Sequence, residues 1–248
     1  MKTVAVVPVF NHGGTVGGVV CALHGHGLPV ILVDDGSDAV TARVLDALAS
    51  GPSGLPVVLL RHPENRGKGA AVLAGFRHAH ELGASHALQV DADGQHDLEA
   101  VPRFLIVSAR HPDAVVAGCP QYDASVPKGR KYARYITHAW VWINTLSRRI
   151  VDSMCGFRLY PLAAVMPLLP ALAHARRMDF DTEILVRLDW EGVPVINLPV
   201  AVSYPRGGIS HFRPLRDNLR ISAMHARLFF GMLSRLPRLV SRHFRTVN

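Results

Sequence analysis

Short, almost unbroken apolar runs punctuate the first half of the chain: Thr3–Phe10, Pro29–Asp34, Pro56–Arg61, His86–Asp91 and Asp113–Gly118. Each is rich in β-branched residues and bounded by Gly, Pro, Asn, Asp or Ser, the pattern of a strand covered on both faces. Between them Thr15–His26, Ala39–Ala49, Lys68–Leu82 and Asp97–Arg110 have helical length and period. This alternation predicts an α/β fold with a mostly parallel central sheet and helices on both faces. After residue 118 the pattern changes. Lys128–Arg149 is basic and aromatic, with Tyr132, Tyr135, Trp140 and Trp142. Cys155–Tyr160 then reads as a strand, Phe180–Trp190 as a helix and Val193–Tyr204 as a strand. From Leu215 onward the pattern is helical, with a break expected at Pro237. No repeat or flexible linker divides the chain, so residues 1–212 are expected to form one domain in two halves, 1–118 and 119–212, with 213–248 as a helical tail.

Composition narrows the class. At 49% hydrophobic and 19% charged residues, 248 residues can bury a sizeable core, which excludes a disordered chain. Cys21, Cys119 and Cys155 are odd in number and never paired as Cys-x-x-Cys, against a disulfide scaffold or a structural zinc site and in favour of a reducing compartment. The net charge of +8 sits at one end, because residues 206–248 carry nine Arg against the single Asp217. No segment is long and apolar enough to span a membrane, and the N-terminus lacks the apolar stretch of a signal peptide. A cytoplasmic protein is the expectation.

Parallel sheets bind ligands at the carboxyl ends of their strands. Two candidate strands end in acidic clusters there, Asp34-Asp35-Gly36-Ser37 and Asp91-Ala92-Asp93-Gly94-Gln95-His96. In an extended Asp-x-Asp both carboxylates lie on the same side of the backbone, their Cα atoms about 6–7 Å apart. They can grip one Mg²⁺ or Mn²⁺, ions that favour carboxylates together with phosphate oxygens. A solvated turn leading to a helix N-capped by Asp97 is the plainer alternative. Other ligand motifs fail. Gly67-Lys68-Gly69 lacks the spacing and the Ser/Thr of a P-loop, and Asn11-His12-Gly13-Gly14 after the first strand is not the Gly-x-Gly-x-x-Gly of a dinucleotide site. Fourteen His invite metal readings, and most are set aside. His78 and His80, two apart on a helix, cannot share an ion.

Taken in order, Pro8-Val9-Phe10-Asn11, Val33-Asp34-Asp35-Gly36-Ser37, Asn65-Arg66-Gly67-Lys68-Gly69, Val90-Asp91-Ala92-Asp93-Gly94-Gln95-His96 and Gly156-Phe157-Arg158 resemble glycosyltransferase family 2, in the branch typified by dolichyl-phosphate mannose synthase. The resemblance covers about residues 3–205. It implies the GT-A fold and inverting, metal-dependent transfer from a nucleotide-diphosphate sugar, with UDP or GDP as carrier. It further implies that Pro8, Phe10, Asn11, Asp34, Asp35, Lys68, Asp91 and Ala92 line the donor pocket. Asp91, Asp93, Gln95 and, from a late loop, His211 would surround the metal and pyrophosphate.

On the acceptor side Asp181, and after it Asp179, is the candidate general base for a hydroxyl, both opening the helix at Phe180. Arg158 and Asp152 are the other acceptor-side candidates. Relatives acting on lipid phosphates usually carry Asp where Gly156 stands, which favours a hydroxyl acceptor. In the tail Arg213, Arg216, Arg220 and Arg227 share a 60° arc of a helical wheel, beside an apolar surface including Leu219, Met224, Leu228, Phe229, Phe230, Met232 and Leu233. That composition suits an anionic membrane surface. A helix packed on the domain is the alternative, and nucleic acid is disfavoured because the aromatics do not interleave with Arg. The expected function is sugar transfer to a lipid or hydrophobic acceptor at the inner membrane face. A polyprenyl-phosphate sugar synthase, or a catalytically silent nucleotide-binding partner of a membrane complex, are the alternatives.

Overall fold

A computed structural model describes residues 1–51, 55–121, 128–202 and 214–245. Seven strands, β1 (Thr3–Val9), β2 (Val30–Asp34), β3 (Val57–Arg61), β4 (His86–Gln89), β5 (Val115–Gln121), β6 (Arg158–Pro161) and β7 (Val195–Ala201), form one sheet in the order β3-β2-β1-β4-β6-β5-β7. Strands β1 to β4 run parallel, as their alternation with helices requires. The crossovers are α1 (Gly13–Gly25), α2 (Ala39–Ser50) and α3 (Lys68–Glu81), and α4 (Val101–Arg110) leads on to β5. β6 runs antiparallel to both neighbours, pairing Gln89 with Arg158 and Val116 with Leu159, while β7 returns parallel to β5.

Both faces are covered. Val4 and Val6 of β1 point to one core with Ile31, Val33, Phe76 of α3 and Phe180, whereas Ala5, Val7 and Val9 point to another with Leu23, Leu45 and Phe104. Alternate residues of one strand thus feed two cores, which is why the runs look continuously apolar. Phe104 stacks on Phe157 at 4.3 Å and Phe76 meets Tyr160 edge-on at 5.1 Å, contacts worth about 0.5–1.5 kcal/mol each beyond their buried area.

The basic, aromatic segment after residue 127 is a helix, α5 (Lys128–Thr145), and two short turns, α6 (Leu162–Val165) and α7 (Leu169–Leu172), precede α8 (Phe180–Trp190). The chain ends in α9 (Pro214–Leu233) and α10 (Leu236–Arg245), broken just before Pro237. These helices pack on the domain. Met224, Leu228, Met232 and Leu239 are buried in the core shared with α8, Arg235 lies over the Trp190 ring at 4.7 Å, and Arg242 donates to the carbonyls of Asp189 and Trp190. The apolar surface of the wheel therefore divides. Half is core, and Leu219 and Phe230, about 70% exposed, remain as a solvent-facing strip beside Arg216, Arg220 and Arg227.

Candidate active site

Strand order reverses between β1 and β4, since the chain builds β2 and β3 on one side of β1 and β4 on the other. A crevice opens at such a switch point, outside the carboxyl ends of the strands. The loops after β1, β2, β3 and β4 meet there. Asn11, held at φ 57°, links the first two: its backbone N–H donates to Ser37 Oγ at 3.1 Å and its Oδ1 accepts from Asp38 N at 2.8 Å. Asn tolerates this left-handed conformation better than most residues. Thr15 Oγ1 donates to Ala92 O at 2.6 Å, fastening α1 to the loop after β4.

The two acids that end β2 have different tasks. Asp34 pairs with Arg61, its neighbour in register on β3, at 2.9 Å and accepts from Ser37 N at 2.9 Å. Asp35 is almost fully buried and accepts from Arg66 N at 2.9 Å and Gly67 N at 2.7 Å, with His62 Nδ1 2.8 Å away. It organises the loop that delivers Lys68. Gly36 is required at φ 72°, where a Cβ would lie 2.5 Å from the Glu64 carbonyl carbon.

At the centre, Lys68 Nζ joins two carboxylates, Asp91 at 2.7 Å and Asp181 at 2.8 Å. Burial opposes the ammonium, but the two acids outweigh it and raise its pKa above the usual lysine value. Burial likewise opposes ionised Asp91, and Lys68 and His96 together hold its carboxyl far below the ordinary range. Asp181 is 5% exposed and its other oxygen accepts from Gln89 Nε2 at 2.8 Å. Fully buried Arg158 donates to the Asp181 carbonyl and, at 3.2 Å, to Tyr160 Oη. Burial pushes the Tyr160 hydroxyl up to about 12.

A model of glycosyl transferase family 2 matches residues 4–164. The chain belongs to glycosyl transferase family 2. It is 28% identical over 255 aligned positions to a polyprenol monophosphomannose synthase of Mycolicibacterium smegmatis, covering 96% of this chain and 89% of that one. It is 27% identical over 212 positions to a dolichyl-phosphate beta-glucosyltransferase of Dictyostelium discoideum, covering 82% of this chain but only 63% of that relative's length. Among solved structures it resembles glucosyl-3-phosphoglycerate synthase from Mycobacterium tuberculosis in complex with Mn²⁺, UDP-glucose and phosphoglyceric acid, at a TM-score of 0.59 and 18% identity, over 94% of this chain and 79% of that one. The likeness is one of fold, and the fold is the expected GT-A arrangement.

Within this family 2 chain the residues present fit a divalent cation. Asp91 Oδ1 has no aligned hydrogen-bond donor although Lys68 Nζ is close, and Asp93 uses one oxygen to accept from Gln95 N at 3.0 Å. Among the described residues no group of three or more His, Cys, Asp or Glu converges, so most of the coordination would fall to donor phosphates and water. His211 lies outside the described residues. Gly156 has a local reason: a Cβ there would stand 2.6 Å from both Asp91 Oδ2 and Lys68 Nζ. The glycine admits this pair and says nothing about the acceptor.

The remaining candidates separate. Asp179 faces away from Lys68 toward Arg227, 3.9 Å away, as two residues' spacing on a helix start dictates. Asp152 is buried under a bidentate pair with Arg134, at 2.6 and 2.7 Å, and accepts from the backbone of Met154 and Cys155. Burial opposes its charge, but His138 and Arg134 hold its carboxyl well below the usual range. Sequence reasoning missed Gln89, His96 and Tyr160. The one usable signal was Gln89, a lone amide inside an apolar strand.

Proposed function

We propose that the protein is an inverting glycosyltransferase that moves a sugar from a nucleotide-diphosphate donor, UDP- or GDP-linked, to a lipid phosphate of the polyprenyl type. The carrying observation is the state of Asp181. Both of its oxygens are engaged, one by the Lys68 ammonium and one by the Gln89 amide. A carboxylate bound in this way is a poor general base, and a phosphate acceptor, already anionic, needs none. The names of the relatives, a polyprenol monophosphomannose synthase and a dolichyl-phosphate glucosyltransferase, support the same acceptor class. Asp91 and Asp93 would hold Mg²⁺ or Mn²⁺, which supplies positive charge beside the departing diphosphate. Lys68 sets a second cation there, and Asp35 fixes the loop that carries it. The test is a panel of UDP- and GDP-sugars with Mn²⁺ and either a polyprenyl phosphate or the corresponding polyprenol. Product with the phosphate alone is expected, and product with the alcohol alone overturns the reading.

A peripheral site at the inner face of the membrane fits this acceptor. Among the described residues no helix is long and apolar enough to cross a membrane. Leu219 and Phe230 stand exposed next to the arginine stripe of α9, which suits shallow insertion beneath anionic headgroups. Replacing both by Ser should release the protein from phosphatidylglycerol vesicles in a sedimentation assay without lowering its melting temperature. Equal retention of variant and parent would remove the membrane part of the proposal.

A further inference from the structure

Behind the loop that carries Asp35's backbone donors lies a cavity of about 830 Å³, walled by α3, the segment 173–179 and α9. Its size is that of a ligand pocket. Six arginines line it, Arg66, Arg77, Arg176, Arg177, Arg220 and Arg227, against two carboxylates, Glu64 and Asp179. They come from three separate parts of the chain, and the fold gathers them. Arg220 and Arg227, two helical turns apart, present one face of α9.

Several are only partly committed. Arg227 pairs with Glu183 at 2.9 Å, and Arg177 donates to Asn65 Oδ1 at the same distance. Arg220 reaches Asp217 at 3.5 Å with almost half its side chain exposed, and the Arg176 guanidinium donates to the Ala173 carbonyl at 2.9 Å. The Arg66 and Arg77 guanidinium groups have no carboxylate partner among the described residues. Concentrating four more cations than carboxylates around one concavity costs self-repulsion, which a bound polyanion relieves. Arginine rather than lysine throughout favours planar, bidentate recognition of phosphate oxygens.

We propose that this cavity is a second anion site, separate from the donor crevice, that takes a diphosphate group, either free or esterified to a lipid. One phosphate occupies one or two guanidinium forks, whereas this lining offers enough for two. Its lining reaches His62, which touches Asp35, but does not include Asp35, Lys68, Asp91 or Asp93, so the two sites can be told apart by substitution. The proposal does not depend on the acceptor assigned above.

The probes are inorganic pyrophosphate, followed by calorimetry, and phosphatidylcholine vesicles doped with an isoprenoid diphosphate, followed by sedimentation. Binding of at least one probe should persist in Asp93→Asn, which weakens the donor crevice, and should weaken tenfold or more in Arg77→Gln/Arg220→Gln. Ala223→Glu, which adds a negative charge to the lining without removing a contact, should have the same effect at unchanged melting temperature. Binding of pyrophosphate assigns a free ligand, and binding of vesicles alone assigns a lipid-borne one. If neither probe binds, if binding survives both cavity variants, or if it is lost only in Asp93→Asn, the cavity is no anion site.

Discussion

Asp93, after β4, and Asp152, before β6, are both acidic residues in loops beside paired strands of the sheet, yet they are held in opposite ways. Asp93 is half-buried and accepts one backbone N–H. Asp152 is buried, takes both forks of Arg134 and two backbone amides, and has His138 at 3.5 Å. A saturated carboxylate supports the fold, and an under-coordinated one beside a crevice is available to a ligand. After β4, Asp93 stays available and Asp91 is shared with Lys68, while Asp34 and Asp35 at the end of β2 brace the neighbouring loops. Before β6, Asp152 is spent on packing.

Asp93→Asn should break the first side of that contrast. The amide keeps the shape and loses the charge, so transfer should fall on the order of 10²–10³-fold, the scale of removing one electrostatic group from a transition state. The melting temperature should stay where it is. Steady-state rates with Mn²⁺ titration read the first and calorimetry the second, and an unchanged rate would remove Asp93 from the site.

Asp152→Ala should show the reverse. Removing one partner of a buried pair takes away the carboxylate that Arg134 and two amides share, a cost of about 3 kcal/mol. For a chain of this size that lowers the melting temperature by roughly 6–12 °C. A stable variant with defective acceptor saturation would instead place Asp152 in acceptor binding.

How far these roles could be read beforehand follows from how local their causes are. The alternation of strands and helices through α4 rests on periodicity within short windows, and Phe180–Trp190 agrees to the residue. The reversal of β6 is a pairing of His86–Gln89 with Arg158–Pro161, about seventy residues away, and no window contains both. The same holds for the site. Asp91, Lys68 and Asp35 were visible as motifs, but Asp34 and Asp35 look equivalent until Arg61 arrives in register on β3 and claims one of them. Asp181 ranks only ahead of Asp179 until the helix turns one toward Lys68 and the other toward Arg227. In the tail, periodicity located an apolar surface and could not divide it into core and exposed strip.

Asp181→Asn sharpens the contrast from the middle, because Asp181 belongs to α8 but pairs with Lys68 at the start of α3. With a phosphate acceptor the rate should fall less than about tenfold, since Lys68 keeps Asp91 and the amide keeps the volume. A loss of 10²–10⁴-fold in turnover with donor hydrolysis retained is the signature of a missing base. Turnover and hydrolysis measured on the same preparation decide between them.

The smallest effect expected lies deep in the packed half. His225 of α9 is 5% exposed, stacks on Trp140 at 6.0 Å, and has Asn144 3.4 Å from its Nδ1, while its Nε2 meets no partner. Burial disfavours the imidazolium and lowers its pKa to about 4, against an ordinary value near 6.5. Between those values the unfolded chain binds a proton that the folded chain refuses. Stability from this residue is therefore complete above pH 6.5 and declines as pH falls toward 4. Denaturant unfolding of the parent and of His225→Gln, each followed from pH 7.5 to 4.5, isolates the contribution, because other titrating groups cancel in the difference. The parent should lose more stability than the variant over that interval. Parallel curves would mean that His225 already carries its proton in the fold, and that α9 sits on the domain with a wetter seam than its buried Met224 and Leu228 imply.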